Sequence, residues 1–181
     1  MVTMTSSASV ALKRWATLPL RFAVGYGFIA HGYAKYSRGP DTFAAILHTL
    51  GVPMPALLAW LTTLVEMIGG FAIMIGAYVQ IASLPLAIVL LVALFTIHLP
   101  YGFFSVKLVE VTTTGTRFGP VGYEIIIMYL AGLISIVLSG AGPLSFDHWR
   151  SARLSSPARM LASPRAWPTS VSAKTLDTLT R

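Results

Sequence analysis

Besides Arg21, five ionisable side chains lie within or at the ends of long apolar runs, where a polar group is costly and usually has a function. The run that ends in "FIAHGYAKY" contains His31 and, four residues later, Lys35. A second run contains Glu66, a third ends at His98, and a fourth begins near Glu124. Imidazole, ammonium and carboxylate groups at such positions can donate hydrogen bonds, relay protons or bind a ligand.

Membrane-spanning helices are the elements that must position these side chains, and the composition predicts them. The chain has 181 residues, of which 55% are hydrophobic and 10% are charged, and its mean hydropathy is +0.74. Soluble domains carry about 25% charged residues, so a bilayer must act as the solvent of this chain. A span takes about 20 mainly apolar residues, and four segments qualify, at about 14–36, 55–77, 79–99 and 122–140.

The alternating direction of the spans predicts that the five side chains converge. The first span runs outward and the second runs back, so Glu66 lies at the level of Gly25, and His31 lies about 9 Å above it. Helical side chains lean toward their own N-terminus, so Glu66 and Glu124 lean outward, while His98 sits high on the third span. We therefore predict one polar site in the outer half of the helices, formed by His31, Lys35, Glu66, His98 and Glu124.

Each of these residues also has a simpler interpretation. Lys35 and Arg21 could extend to the two membrane boundaries while their stems stay in the apolar region. His98 could mark only the exit of the third span, and His31 could be a hydrogen-bonded structural histidine. Glu66 could be a protonated carboxyl group that bridges two helices. Two histidines on different spans are a weak signal for haem, and the mixed polar set is an equally weak signal for a metal, so neither is predicted.

The formal net charge of +7 lies largely outside the spans. Lys13 and Arg14 precede the first span, and six basic residues follow the last one: Arg150, Arg153, Arg159, Arg165, Lys174 and Arg181. Basic flanks are typical of cytoplasmic segments, so we predict a multi-pass protein of the plasma membrane with cytoplasmic tails at 1–13 and 141–181. No basic face carries interleaved aromatic residues, which argues against nucleic-acid binding.

The chain contains no cysteine. Disulfides, thiolate metal sites, cysteine-ligated iron–sulfur clusters and a thiol redox cycle are therefore excluded. A redox role would need a bound cofactor or a diffusible carrier, and no covalently bound cofactor is predicted. A signal peptide is the rival interpretation of the first span, but Arg21 within the run and the lack of a clear cleavage site disfavour it.

Two connections and the C-terminal tail have recognisable patterns. Phe43, Ile46, Leu47 and Leu50 recur at helical spacing between Asp41 and Gly51, which predicts a short amphipathic outer helix. The β-branched segment 101–122 contains a glycine turn and predicts a hairpin. Residues 141–181 lack a sustained apolar period and are predicted to be disordered. The predicted fold is thus an all-α membrane protein, a four-helix membrane domain at 14–140.

Five short motifs together resemble the DoxX family of small membrane proteins over about residues 18–149. They are "HGYAKY" at the end of the first span, "VEMIGG" in the second, "HLPYGFF" after the third, "GYE" opening the fourth and "GAGPLSFD" after it. In the family pattern an asparagine is common where Tyr101 stands. The resemblance implies a four-span protein linked to quinone-connected respiratory chemistry or to membrane complexes of the redox-stress response. Carried over, His31 and Lys35 match the first motif, Glu66 the second, and Glu124 the fourth.

The function that these expectations favour is a redox-linked membrane subunit that interacts with quinone or quinol. A quinone site needs an apolar slot for the tail and donors for the ring carbonyls. His31 and Lys35 would donate, Glu66 would relay protons, and Tyr33, Phe103 or Phe104 would pack against the ring. The expected partners are the lipid bilayer and other subunits of a redox complex. Two alternatives stay open: a noncatalytic scaffold or assembly factor, and a carrier of a small lipid-like molecule.

Overall fold

The computed structural model describes residues 15–154, and this part of the chain is mostly helical. Helices α1 to α6 cover, in order, Thr17–Ser37, Pro40–Thr49, Pro55–Ile75, Val79–Ala93, Glu124–Ser139 and Phe146–Leu154. After α4 the chain continues as a π-helical turn, Leu94–His98, and a 3-10 turn, Leu99–Tyr101. The strands β1, Leu108–Thr112, and β2, Gly115–Phe118, pair antiparallel as a hairpin.

Proline and glycine set several of the helix boundaries. Pro40 and Pro55 occupy the first positions of α2 and α3, where the missing N–H costs no helical hydrogen bond. Gly76 ends α3 with a φ of +69°, and its N–H donates to the carbonyl of Ile73. Such a left-handed glycine closes a helix without the steric penalty of a side chain, so α4 can begin three residues later at Val79.

The close packing of α1 against α3 depends on two glycines at the same level. A Cβ on Gly25 would lie 2.6 Å from the carbonyl oxygen of Gly70, and a Cβ on Gly70 would lie 2.7 Å from the carbonyl oxygen of Gly25. Both distances are shorter than a van der Waals contact, so the two backbones touch where neither residue has a side chain. This approach brings polar side chains on the two helices within bonding reach.

The four longest helices pack side by side, with α1 against α3 and α5, and α4 against α3 and α5. Consecutive members run antiparallel, so one end of this helical core carries α2 and the hairpin, and the other end carries Arg21. We call these ends the hairpin end and the Arg21 end. The buried core between the helices consists of apolar residues: Val24, Phe28, Ile73, Val79, Leu86, Leu133 and Ile136.

Two helices in the described part of the chain are long and apolar enough to cross a membrane, Pro55–Ile75 and Val79–Tyr101. The helix Glu124–Ser139 is apolar but shorter, and α1 carries the polar residues Arg21, His31 and Lys35. The outward faces are apolar as well: Ile81 is 71% exposed and Leu138 is 81% exposed. Exposure of such apolar faces to water is unfavourable, so the chain has the character of a membrane protein.

The structure confirms a short helix, α2, where the amphipathic segment was predicted, and it confirms the predicted hairpin. It differs from the sequence interpretation after residue 140. Residues 146–154, expected to be disordered, form α6. The physical reason is tertiary: the Asp147 carboxylate accepts hydrogen bonds from the N–H groups of Tyr78 (2.8 Å) and Val79 (3.2 Å) at the start of α4. The remaining parts of the two predicted tails, 1–14 and 155–181, lie outside the described residues.

Candidate functional site

An ion pair joins α1 to α3 toward the hairpin end of the helical core. The ammonium group of Lys35 donates a hydrogen bond to Oε2 of Glu66. The Glu66 side chain is 6% exposed and that of Lys35 is 21% exposed. The carboxylate is therefore enclosed by protein, while the ammonium group keeps limited access to the surroundings. A molecule outside the protein would meet Lys35 before it met Glu66.

The local sequence explains why these two side chains meet. Gly32 precedes Lys35 by one turn, and a Cβ at Gly32 would lie 2.6 Å from Cγ of Met67 and 3.0 Å from the carbonyl oxygen of Thr63. The absence of a side chain at Gly32 lets α1 lie against the turn of α3 that carries Glu66. Since Lys35 is on the same face as Gly32, its long side chain reaches the carboxylate directly.

Helix α2, which lies in the connection between α1 and α3, packs next to the ion pair. The ammonium nitrogen of Lys35 lies 5.2 Å from the centroid of the Phe43 ring, a distance at which a cation is attracted to an aromatic face. Phe43 is on α2, which packs against α3 and is anchored by the buried side chain of Leu47. The positive charge of Lys35 is thus held between a carboxylate and an aromatic ring.

His31 lies one turn before Lys35 on α1 but faces a different neighbour. Its ring centroid lies 6.3 Å from that of Tyr129 on α5, with an interplanar angle of 76°. The side chain of His31 is exposed. Within residues 15–154, Glu66 has its one ion pair with Lys35, and neither that pair nor a hydrogen bond includes His31. The structure brings Lys35 and Glu66 together and leaves His31 beside them, next to α5.

His98 and Glu124 bind the backbone around the base of the hairpin. Nδ1 of His98 lies 2.9 Å from the carbonyl oxygen of Val121, and Oε2 of Glu124 accepts a 3.1 Å hydrogen bond from the N–H of Ser105. The hydroxyl group of Ser105 in turn accepts a 3.2 Å hydrogen bond from the N–H of Ile125. These contacts fix the chain where it leaves α4 and where it enters α5.

Within residues 15–154, the ring and cation–π contacts of Lys35 do not include the three residues predicted to pack against a ligand. Tyr33 is on an exposed face of α1. Phe103 and Phe104 are exposed at the base of the hairpin, where their ring centroids lie 5.6 Å apart. Phe103 also contacts the Tyr123 ring at 5.6 Å. Their described contacts make them parts of the hairpin base.

Arg21 is the main polar residue whose role the sequence did not reveal. It was expected to extend to a membrane boundary, yet it is 1% exposed. Its guanidinium group donates to the main-chain carbonyls of Ala141, Leu144 and Met74. A snorkelling arginine needs a free path to the boundary, whereas the chain after α5 folds over Arg21 and supplies the acceptors. The motif "GAGPLSFD", which contains Ala141 and Leu144, was the signal that could have indicated this contact.

The arrangement at Lys35 and Glu66 can hold and move a proton. A carboxylate and an ammonium group in direct contact can exchange a proton, and their separation from water makes the exchange sensitive to any ligand that approaches Lys35. Among residues 15–154, no group of three or more His, Asp or Glu side chains is arranged to hold a metal ion. Arg21 cannot exchange a proton in this way, because the groups that bind its guanidinium group are main-chain carbonyls, which do not titrate.

Comparison with known proteins places this geometry in a family context. The DoxX family model matches residues 16–99, which include α1 to α4 and both members of the ion pair. An uncharacterized protein of Haemophilus influenzae is 27% identical over 131 residues, covering 71% of this chain and 86% of that protein. A second uncharacterized protein of the same organism is 28% identical over 134 residues, covering 72% and 80%. No solved structure matches the chain.

Proposed function

Because this chain belongs to the DoxX family, we propose that it is an integral membrane protein of four spans that acts as a redox-linked subunit interacting with quinone or quinol. In this proposal α1, α3, α4 and α5 all cross the bilayer, and α2 and the hairpin lie on the outer side. The basic segments before the first span and after the last support cytoplasmic termini. The apolar outward faces support burial of all four helices in lipid.

The single observation that carries the redox proposal is the buried ion pair between Lys35 and Glu66. Reduction of a quinone takes up two protons with two electrons, and oxidation of a quinol releases them. A carboxylate held by an ammonium group at the edge of an apolar region can deliver or accept such protons. The electrons would pass to or from a partner subunit that carries a redox group.

A measurement of the quinone that copurifies with the protein tests this proposal. The protein is extracted from native membranes in a mild detergent, and the lipid extract is analysed by mass spectrometry for ubiquinone and menaquinone per chain. The control is an unrelated four-span protein purified from the same membranes. We expect quinone enriched several-fold over the control. Equal quinone content in the two preparations would overturn the proposal.

A noncatalytic scaffold is the second candidate, and a specific observation favours it. Arg21, Glu124 and Asp147 bind main-chain groups and connect segments that are distant in sequence. Polar side chains used in this way strengthen a helical core without any chemistry. If the helical core only binds partner proteins and carries out no chemistry, the Glu66→Gln variant should retain cellular function, provided that it still inserts into the membrane.

A further inference from the structure

The side chains of His31 and Tyr129 make no hydrogen bond to residues 15–154. His31 is exposed on α1, and its described contact is the edge-to-face approach to the Tyr129 ring. The Tyr129 ring also meets the Phe28 ring at 5.3 Å. The buried side-chain polar atoms without a partner in this part of the chain are Oγ1 of Thr17 and Nε of Arg21. Tyr129 is half-buried, and its hydroxyl is not one of these fully enclosed atoms, so the hydroxyl keeps some access from outside the protein.

The local packing holds the Tyr129 hydroxyl in one place. The oxygen lies against Gly27 on α1, where a Cβ would overlap it. Gly27 lies one helical turn before His31, so the phenol ring crosses the side of α1 between these two residues. Phe28, which is buried, forms the inner wall of this position. The two polar side chains therefore lie side by side where α1 meets α5.

Hydrocarbon cannot satisfy an imidazole and a hydroxyl group. Where α1 and α5 face lipid, each unpaired polar group destabilises the folded protein, because hydrocarbon offers it no hydrogen-bond partner. A ligand that enters from the bilayer and accepts hydrogen bonds would remove this cost. An imidazole and a phenol are donors without the fixed positive charge of Lys or Arg. They suit an uncharged carbonyl group better than a phosphate or a carboxylate.

We propose that His31 and Tyr129 form a lateral site, open to the bilayer between α1 and α5, that binds the carbonyl-bearing ring of an isoprenoid quinone. This inference rests on the proposed function and gives that function a location. The ring hydrogen-bonds to the two side chains, Phe28 forms the inner wall, and the isoprenoid tail extends into lipid. Lys35 follows His31 by one turn, about 6 Å along the helix axis, so the ion pair lies next to the bound ring.

Two conservative substitutions test the site. His31→Gln and Tyr129→Phe remove one donor each while keeping approximate size, and Tyr26→Phe is the matched control because Tyr26 is 68% exposed on another face of α1. Each protein is purified in the same detergent, and its quinone content per chain is measured together with labelling by a photoreactive short-chain ubiquinone analogue. We expect a loss of at least threefold in both readouts for the two site variants, and none for the control.

The outcomes separate this inference from the proposed function. Wild-type protein without bound quinone would contradict the proposed function itself. Wild-type protein that retains quinone, with equal retention in His31→Gln, Tyr129→Phe and Tyr26→Phe, would overturn the site alone. Circular dichroism and thermal unfolding of each variant report whether it is folded. If Tyr129→Phe is unfolded, labelled peptides from the wild-type protein decide: labels on α1 and α5 support the site, and labels elsewhere overturn it.

Discussion

Single buried polar residues in this protein differ in what they bind. Glu66 binds the side chain of Lys35, whereas Arg21 binds main-chain carbonyls. The first contact joins two titratable groups and can take part in proton exchange. The second joins a permanent cation to fixed dipoles and can only hold segments together. This difference is the reason for assigning chemistry to one site and structure to the other.

A double-mutant cycle measures the strength of the ion pair. Lys35→Met leaves Glu66 enclosed without its cation, and we expect the free energy of unfolding to fall by about 3 kcal/mol. Glu66→Gln leaves Lys35 able to turn toward its surroundings, so the expected loss is about 1 kcal/mol. The double variant should lose about 1–3 kcal/mol less than the sum of both. Reversible unfolding in micelles, followed by circular dichroism, supplies these values, and strictly additive losses would contradict a direct pair.

Replacement of Arg21 by Lys tests its structural role. A lysine carries its three N–H donors on a single nitrogen, which cannot reach all three of the carbonyls that a planar guanidinium group bridges. Unpaired buried carbonyls should lower the free energy of unfolding by at least about 3 kcal/mol. Arg38→Lys is the control, because Arg38 is exposed just after α1, and should change stability by less than about 0.5 kcal/mol. Equal losses in the free energy of unfolding for Arg21→Lys and Arg38→Lys would show that the hydrogen bonds of Arg21 do not stabilise the fold.

The sequence could identify Lys35 and Glu66 as unusual but could not pair them. Their depths follow from helix rise, and a charged residue in an apolar run attracts attention by its cost. Which neighbour each side chain reaches depends on rotation about the helix axis, and Gly32 sets that rotation through contact with Met67. His31 faces Tyr129 for the same reason. Tyr129 was missed because a tyrosine in an apolar run is compatible with a lipid-facing position.

At the scale of helices and strands, the contact between α1 and α3 positions the ion pair. Gly25 and Gly70 allow the backbones to touch, and the side chains farther along the two helices then come within reach. Helix α2 adds Phe43 over the ammonium group. The geometry of the candidate site is therefore a property of three helices rather than of one motif.

Adjacent glycines on α3 provide a matched test of this contact. In Gly70→Ala the new methyl group would meet the carbonyl oxygen of Gly25, a rigid main-chain atom. In Gly69→Ala it would meet Cγ of Leu86 at 3.0 Å and the two methyl groups at 3.1 and 3.2 Å, and a side chain can shift by the few tenths of an ångström required. Both changes gain the same helix propensity, so we expect Gly70→Ala to be less stable than Gly69→Ala by about 1–3 kcal/mol. Thermal unfolding in micelles compares them, and equal stability would exclude a close backbone contact.

Patterns within one element predicted more than patterns between elements. The period of α2, with Asp41 near its start and Gly51 after its end, sufficed to predict that helix, and the β-branched residues with the glycine turn sufficed for the hairpin. The π-helical turn Leu94–His98 has no periodic signal, since it adds one residue to a helix that is apolar on all sides. Helix α6 was missed because its residues have no sustained apolar period. Its start is held by a local cap, in which the Ser145 hydroxyl accepts from the N–H of His148, and by tertiary hydrogen bonds to Asp147.

At the scale of the whole molecule, the proposed topology sets the side of the membrane from which the ion pair is reached. Four antiparallel spans with cytoplasmic termini would bring Lys35, α2 and the hairpin to the outer side. The predominance of basic residues in the tails supports this orientation. The sequence predicted the four helices from apolar runs alone, because helical hydrogen bonding is the one local way to satisfy the backbone in lipid.

Single cysteines test the topology, since the natural chain contains none. Cysteine is introduced at Ser6, at Ser170 or at Thr113 in the turn between β1 and β2. In intact cells, a membrane-impermeant maleimide should label the Thr113 variant and leave the other two unlabelled until the membrane is opened. Labelling of both tail variants before opening, with protection of the hairpin variant, would invert the orientation.

Proton exchange between Glu66 and a bound quinone is the central claim, and infrared difference spectroscopy measures it directly. Quinone-loaded protein is reduced chemically, and the spectrum reports changes in the carbonyl stretch of protonated carboxyl groups. We predict a band in this region that disappears in Glu66→Gln and persists in Glu124→Gln, because Glu124 is occupied by the backbone of the hairpin base. A spectrum in which quinone reduction proceeds and Glu66→Gln leaves the carboxyl band unchanged would contradict the claim.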